Sequence, residues 1–463
     1  MGIPGLWDIL RPAEKIISFT ELTVKNGFEA NGWGTHSFVI GGLHAQAGKN
    51  PELCILYYRL AWLLKLPVTA VFVFDGPKRP LIKCGKRVIA NTHWLTQGLK
   101  EFVVAFGFHV HMVLPTEAEL AQLNRTAIID AILTDDGDCL VFRATCIIRN
   151  PNVKLDGDSV ALYMANALGN HPCVSLMEGG LLLIMLLIGG DYDVKGLHSC
   201  GTRVAYSLAH SGLGDSLLQA ACSSGPHQLM CFLVQWCLKL WEELMTNASG
   251  HLARKQPSLA RKVPATFPNQ AILLQYANPC TSWTESTPPN ISCWTPGQID
   301  LGNAALLCEQ FFPWGMASGI MKNFCDHIYA GACVQCLSLF SSFSLILISQ
   351  PINHLSGIIL DGPFTPANIL QIEHAHHGPT QVVGLPGYCI ELTTYSLVNA
   401  IISKLRGICG PVPDGKGLHP KTFVWVLASI LDHALPQLVQ QYELSKKWPQ
   451  VNFNSSCSSE IMY

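Results

Sequence analysis

Six carboxylates in this 463-residue chain stand where apolar runs stop. Asp75 closes the β-rich run 68–74, and Glu117 and Glu119 open a helical stretch at 116–124. Asp136 and Asp138 sit inside "ILTDDGDCLVF" (132–142), and Asp191 follows the apolar run 179–190. Gathered in one partly dry cleft, such groups repel by several kcal/mol per pair, about 4 kcal/mol at ~4 Å and moderate effective dielectric. A divalent cation is the simplest relief. Oxygen ligands without neighbouring His or Cys favour Mg²⁺, with Mn²⁺ as the alternative, and two such ions suit hydrolysis of a phosphodiester by water. A lone DDxD run is more often a solvated turn and helix cap, and Glu117 and Glu119 alone would suit a first helical turn. Four acidic clusters, each at the end of a separate element, shift the balance toward metal.

The positioning elements follow from hydrophobic period. "PELCILYYRLAWLLKL" (51–66) has helical spacing, "VTAVFVF" (68–74) reads as a buried strand, and 93–108 reads as an amphipathic helix. A third helix starts at 116, and "AIIDAILT" (127–134) reads as a second buried strand. Helix and strand alternate, so the expected fold class is α/β, a mostly parallel central sheet flanked by helices. The carboxylates then lie beyond the carboxyl ends of the strands, where open α/β sheets bind ligands.

Composition bounds the rest. With 49% hydrophobic and 13% charged residues the chain has ample core, and its net charge of −2 leaves nucleic-acid affinity to local patches. Eighteen scattered cysteines after "MGIPGLWDILRP", which has no basic and apolar leader pattern, predict reduced thiols in a cytosolic or nuclear protein. Leu6 breaks the myristoylation pattern. The uncharged run 334–352 is rich in serine and lacks flanking anchors, so it predicts a buried or irregular segment, and no membrane partner is expected.

The blocks "MGIPGLWDIL", "VFVFDGPKRP", "EAELA", "TDDGDCLVF" and "LLIGGDYDVKGLHSCGTRVA" occur in that order over the first 210 residues or so. Together they resemble the structure-specific 5′ nuclease superfamily of flap endonucleases and XPG nucleases, and the C-terminal part is most like the eukaryotic Holliday-junction resolvase branch. The resemblance implies a PIN-like nuclease core, a helix-two-turn-helix element and a small chromodomain-like module. It implies a nuclear, Mg²⁺-dependent endonuclease of DNA repair holding two ions, with branched or flapped DNA as partner, and leaves dimerisation on the junction open. By match of position, Asp75 and Glu119 hold the first ion, Asp136, Asp138 and Asp191 surround the second, and Glu117 contacts the ions directly or through water. Asp135 is expected in a supporting or turn role.

One position departs from the family pattern. Counting back from His44 in "EANGWGTHSFVIGGLHAQAGKNPEL" puts Ser37, beside His36, where that pattern has a metal-binding aspartate. Two functional readings follow, an active endonuclease or a catalytically impaired junction-binding homologue. A fault in the sequence around 25–45 is a further explanation of Ser37.

Lys78, Arg79, Lys83, Lys86 and Arg87 form a basic run just past Asp75, expected to steer phosphate toward the carboxylates. Gly196, Gly201 and Arg203 are expected at the helix-two-turn-helix, where glycines permit close approach of a phosphate and helix-start N–H groups bind it without reading a base. The expected segments are 1–90 and 91–195 (nuclease regions), 196–265 (helix-two-turn-helix and a basic segment), 266–334 (helical extension), 335–445 (chromodomain-like module) and 446–463 (tail). The stretch 245–300, rich in Pro, Ser, Thr and Asn, reads as linker or irregular chain. Cys333 and Cys336 have zinc-like spacing without a second pair, and His374, His376 and His377 read as a surface cluster.

Overall fold

The computed structural model describes residues 2–26, 33–36, 50–76, 82–83, 86–87, 94–113, 116–150, 158–347, 364–377, 385–413 and 421–447. Among them, seven strands form the central sheet: β1 (Lys15–Ser18), β2 (Trp33–His36), β3 (Ala70–Asp75), β6 (His109–Val113), β7 (Ala131–Leu133), β8 (Cys146–Arg149) and β9 (Ser159–Met164). Their order is β1-β9-β8-β7-β2-β3-β6. The five strands from β8 to β6 run parallel, while β9 and β1 are added antiparallel at one edge. A mostly parallel α/β sheet is therefore what the alternating pattern builds. The predicted strand 127–134 shrinks to β7, and β6, whose "HVHMV" is too polar to stand out, pairs with β3 at the opposite edge.

Strand alternation splits the core in two. Ala70, Phe72 and Phe74 of β3 face one cluster, whereas Val71 and Val73 face the other. The first face is covered by helices Pro51–Leu64, Trp94–Ala105 and Leu301–Phe311, the second by Thr116–Arg125 and Glu178–Ile188. Glu178–Ile188 is buried along nearly its whole length, which explains why "LLLIMLLI" shows no polar face. Helices Thr202–Ala209, Leu213–Ser223 and Pro226–Thr246 extend this second layer.

At the C-terminal end, β10 (Ile369–His377), β11 (Pro386–Thr393) and β12 (Lys421–Leu427) form an antiparallel sheet packed by helices Ala428–Ala434 and Pro436–Lys447. Its apolar side, including Ile390, Val424 and Val426, belongs to the same buried cluster as Phe72 and Phe102. The helix Tyr329–Leu347 runs through the boundary expected at 334/335. Cys333 and Cys336 lie buried on that helix among apolar side chains, and burial raises both thiols. The described cysteines are free thiols. Among the described residues no helix is long and apolar enough to cross a membrane.

The first cluster centres on Tyr57, whose ring lies 5.6 Å from Phe102 and 5.5 Å from Phe312, with Phe102 stacked on Phe312. Phe102→Ala should lower the unfolding free energy by about 3–5 kcal/mol. Urea denaturation of the two proteins checks this.

Candidate metal centre and nucleic-acid interface

The carboxyl ends of the parallel strands converge on one acidic site. β3 delivers Asp75, the turn after β7 delivers Asp136 and Asp138, helix Thr116–Arg125 delivers Glu117 and Glu119 after β6, and the loop after Glu178–Ile188 delivers Asp191. Glu117, Asp136 and Asp191 each present a carboxylate oxygen, and these atoms lie within 4.8 Å of one another. At that spacing each pair of charges repels by about 3 kcal/mol at an effective dielectric of ~20. All three side chains are buried, as are Asp138 and Glu119.

Asp138 shows the strain most clearly. Its carboxyl is raised from 3.8 to about 8, first by burial and then by the charges of Asp136 and Asp191. The Tyr276 hydroxyl donates to its Oδ2 at 3.1 Å, whereas its buried Oδ1 has no hydrogen-bond partner. An orphaned buried oxygen beside three converging carboxylates is the environment a hard divalent cation satisfies, so this donor set fits Mg²⁺ or Mn²⁺.

The chain's first residues brace the same turn. Gly2 has φ +85°, and a Cβ there would stand 2.6 Å from Asp136 Oδ1. The Trp7 indole N–H donates to the Asp135 carbonyl at 3.0 Å, and the Arg149 guanidinium lies 4.1 Å over the Trp7 ring. Arg149 also pairs with the exposed Asp135 carboxylate at 3.0 Å. Asp135 is thus held in the turn through both its carbonyl and its carboxylate. The Asp136 carboxylate accepts the Asp138 N–H at 3.0 Å, which orients the turn internally.

Asp75 and Glu119 are engaged differently. Asp75 accepts the Thr116 hydroxyl. Glu119 lies against His111 Nε2 at 3.2 Å and accepts the Ser282 N–H at 2.8 Å. His111 in turn packs against the Trp294 ring, and His109 Nε2 meets the Thr295 carbonyl at 2.6 Å. Segment 282–295 therefore straps this side of the site.

Tyr276, Ser282 and His111 are absent from the sequence-based site. Tyr276 and Ser282 fall within the stretch read as linker. The signal for Tyr276 was present: Asn269 caps "QAILLQYA", accepting N–H groups of Ala271 and Ile272, and this octet is the helix Gln270–Ala277. Ser282 contributes only its backbone, which no sequence pattern marks. The same stretch carries the basic segment to the surface: the Lys262 ammonium donates to Ser199 Oγ at 2.9 Å, beside exposed Arg261.

The expected DNA-contacting residues divide. Lys78, Arg79 and Ser37 lie outside the described residues. Lys83 and Lys86 pair in a two-stranded ribbon of β4 (Ile82–Lys83) and β5 (Lys86–Arg87). Gly201 opens helix Thr202–Ala209 with empty space where a Cβ would project, and Arg203 is exposed, so both suit an approaching backbone. Gly196 is different. Its φ is +54° and a Cβ would stand 2.6 Å from the Leu187 carbonyl oxygen, so packing of the loop onto the end of Glu178–Ile188 requires the glycine.

The XPG I-region family matches residues 113–191, the stretch from the end of β6 to Asp191. The chain is 26% identical over 264 residues to flap endonuclease GEN homolog 1 of Homo sapiens, covering 51% of this chain and 29% of the relative. It is 27% identical over 252 residues to flap endonuclease GEN-like 1 of Arabidopsis thaliana, covering 47% and 40%. Through this stretch the chain resembles the XPG and flap-endonuclease superfamily. The fold matches that of the Holliday junction-resolving enzyme GEN1 in complex with product DNA, Mg²⁺ and Mn²⁺, at TM-score 0.71 and 24% identity over 96% of this chain and 100% of that one. Human GEN1 in complex with Holliday junction DNA shares the fold at TM-score 0.56 and 17% identity over 96% and 98%. The matched part amounts to less than half the length of the curated relatives.

The raised Asp138 fixes a pH dependence. An unfolded Asp titrates near 3.8, so between there and about 8 the folded, metal-free protein holds a proton that the unfolded chain has lost. This contribution to stability is full below the lower value and is lost as pH rises through the higher one. In EDTA, Asp138→Asn should melt above the unaltered protein by a margin that widens from about pH 5 to about pH 8. Thermal melts across that range check it. Gly2→Ala should weaken Mn²⁺ binding by pushing on Asp136, by about tenfold on the scale of lost supporting contacts, measured by calorimetric titration.

Proposed function

We propose that this chain is a Mg²⁺-dependent, structure-specific DNA endonuclease that hydrolyses a phosphodiester at a flap or a branched junction. The carrying observation is the meeting of Glu117, Asp136 and Asp191 within 4.8 Å at the carboxyl ends of the parallel sheet. A bound divalent ion supplies charge neutralisation and a water of lowered pKa at that point.

The chain's own residues do the positioning. Glu117, Asp136, Asp138 and Asp191 provide the oxygen shell, and Tyr276 and the Asp138 N–H hold two of these carboxylates in orientation. The exposed Arg203 beside Gly201, together with Lys262, brings phosphates to a surface that the carboxylates alone would repel, and Lys83, Lys86 and Arg87 form a basic run in the sequence. Lys78 and Arg79 extend that basic run in sequence. Contacts of this type read backbone shape and not base sequence. A nuclear protein of DNA repair, paired on junction DNA and carrying a chromodomain-like C-terminal module, completes the reading. The antiparallel sheet of β10, β11 and β12 with its C-terminal helices supports that last element.

Ser37 and the engaged Glu119 favour a second reading, a junction binder of impaired activity. Gel assays on flap and four-way-junction DNA with Mg²⁺ separate the two. The endonuclease reading expects cleavage that falls by about 100-fold or more in Asp136→Ala and rises in Ser37→Asp. Junction binding without cleavage by the chain and by Ser37→Asp would overturn it.

A further inference from the structure

One side chain outside the six carboxylates touches two of the segments that carry them. Tyr276, on helix Gln270–Ala277, is fully buried, and its hydroxyl donates to Asp138 Oδ2 at 3.1 Å. The same hydroxyl is hydrogen-bonded by the backbone of Tyr192, the residue directly after Asp191. Asp138 and Asp191 come from different elements, the turn after β7 and the loop after Glu178–Ile188, so one oxygen links both. A carboxylate that accepts such a bond is oriented by it while it can still ligate a cation.

The chain makes room for this link and fixes its far end. Gly190, the residue before Asp191, passes so close that a Cβ there would stand 2.9 Å from the Tyr276 hydroxyl. The Tyr192 ring lies edge-on to the Tyr276 ring at 5.2 Å, and the Phe142 ring stacks on it at 5.0 Å. Next to Phe142, the Arg143 guanidinium donates to the Ala277 carbonyl at 2.8 Å. The Asn278 side-chain amide donates to the Ala221 carbonyl at 2.9 Å. Phe142 and Arg143 directly continue the short helix Asp138–Val141. The segment that begins at Asp138 therefore grips the helix end that carries Tyr276, and the hydroxyl returns the contact to Asp138. Side chains locked by packing in this way hold a site to its geometry.

We infer that Tyr276 is a positioning residue of the metal centre, its hydroxyl tying the Asp138 turn to the Asp191 loop and so setting the spacing of two carboxylates offered to a divalent ion. This rests on the metal-dependent reading above and deepens it. The charges of Asp138 and Asp191 act on one another. Without the hydroxyl between their segments, that repulsion would open the site while the tyrosine ring still filled its place.

The test is a metal titration. The EDTA-stripped full chain is titrated with Mn²⁺ alone, with free Mn²⁺ followed by electron paramagnetic resonance. Tyr276→Phe keeps the ring against Phe142 and Tyr192 and removes only the hydroxyl, so binding should weaken by about tenfold. Phe102→Ala, in the core cluster on the other face of the sheet, should melt lower yet bind Mn²⁺ within about twofold of the unaltered chain. Gly190→Ala crowds the hydroxyl and should weaken binding by about threefold or more, and by less in the Tyr276→Phe background, where the crowded oxygen is gone. A Tyr276→Phe affinity within about twofold of the unaltered chain would overturn the inference, as would equal losses from Gly190→Ala in the two backgrounds. Should Tyr276→Phe not fold, Gly190→Ala decides alone, and unchanged Mn²⁺ affinity overturns the inference. Junction cleavage assayed on the same preparations keeps the two readings apart. Binding and cleavage by the unaltered chain with an indifferent Tyr276→Phe sink only the positioning role, whereas no Mn²⁺ binding and no cleavage sink both.

Discussion

Repulsion among buried carboxylates is the constraint around which the rest of this molecule is arranged. Glu117, Asp136 and Asp191 are brought within 4.8 Å of one another in a site with little access to water, and Asp138 beside them is driven toward its neutral form. Such an arrangement opposes folding unless the scaffold holds it, because each group would be better solvated in the unfolded chain. The holding elements are apolar and rigid: buried strands on one side, and the buried helix Glu178–Ile188 below.

The two faces of the sheet serve that purpose unequally. The face bearing Val71 and Val73 packs the elements that carry Glu117, Glu119, Asp191 and Tyr276, and so does the positioning. The other face joins Phe72, Phe102 and the C-terminal sheet in one buried cluster, which ties that sheet to the central one through shared apolar surface. The N-terminal block adds a third brace. Gly2, Trp7 and Arg149 converge on the turn Asp135–Asp138, so the first residues of the chain belong to the site although they carry none of its carboxylates.

Much of this was legible beforehand, and for local reasons. The helices at 51–64 and 116–125 and strand β3 follow from the period of their apolar residues, and Asp75, Glu117, Glu119, Asp136, Asp138 and Asp191 stand out because carboxylates at the ends of apolar runs have few structural explanations. Strand β6 was not legible, since an edge strand with half-exposed histidines has no alternating apolar face. The packing requirement at Gly196 was not legible either, since it comes from the approach of Leu187 to its backbone.

The sequence by itself determined the class of fold, the acid cluster and the kind of ion that suits it, because hydrophobic period and ligand chemistry are properties of residues near one another in the chain. Only the tertiary structure decided which carboxylates share one point in space and which accept hydrogen bonds from distant segments. That division depends on Tyr276 reaching Asp138, Ser282 reaching Glu119 and His111 turning toward the same group, contacts across 138, 163 and 8 residues. A hydrogen bond from a distant backbone N–H leaves no mark in composition or spacing, so which groups donate to an acidic residue is decided by packing alone.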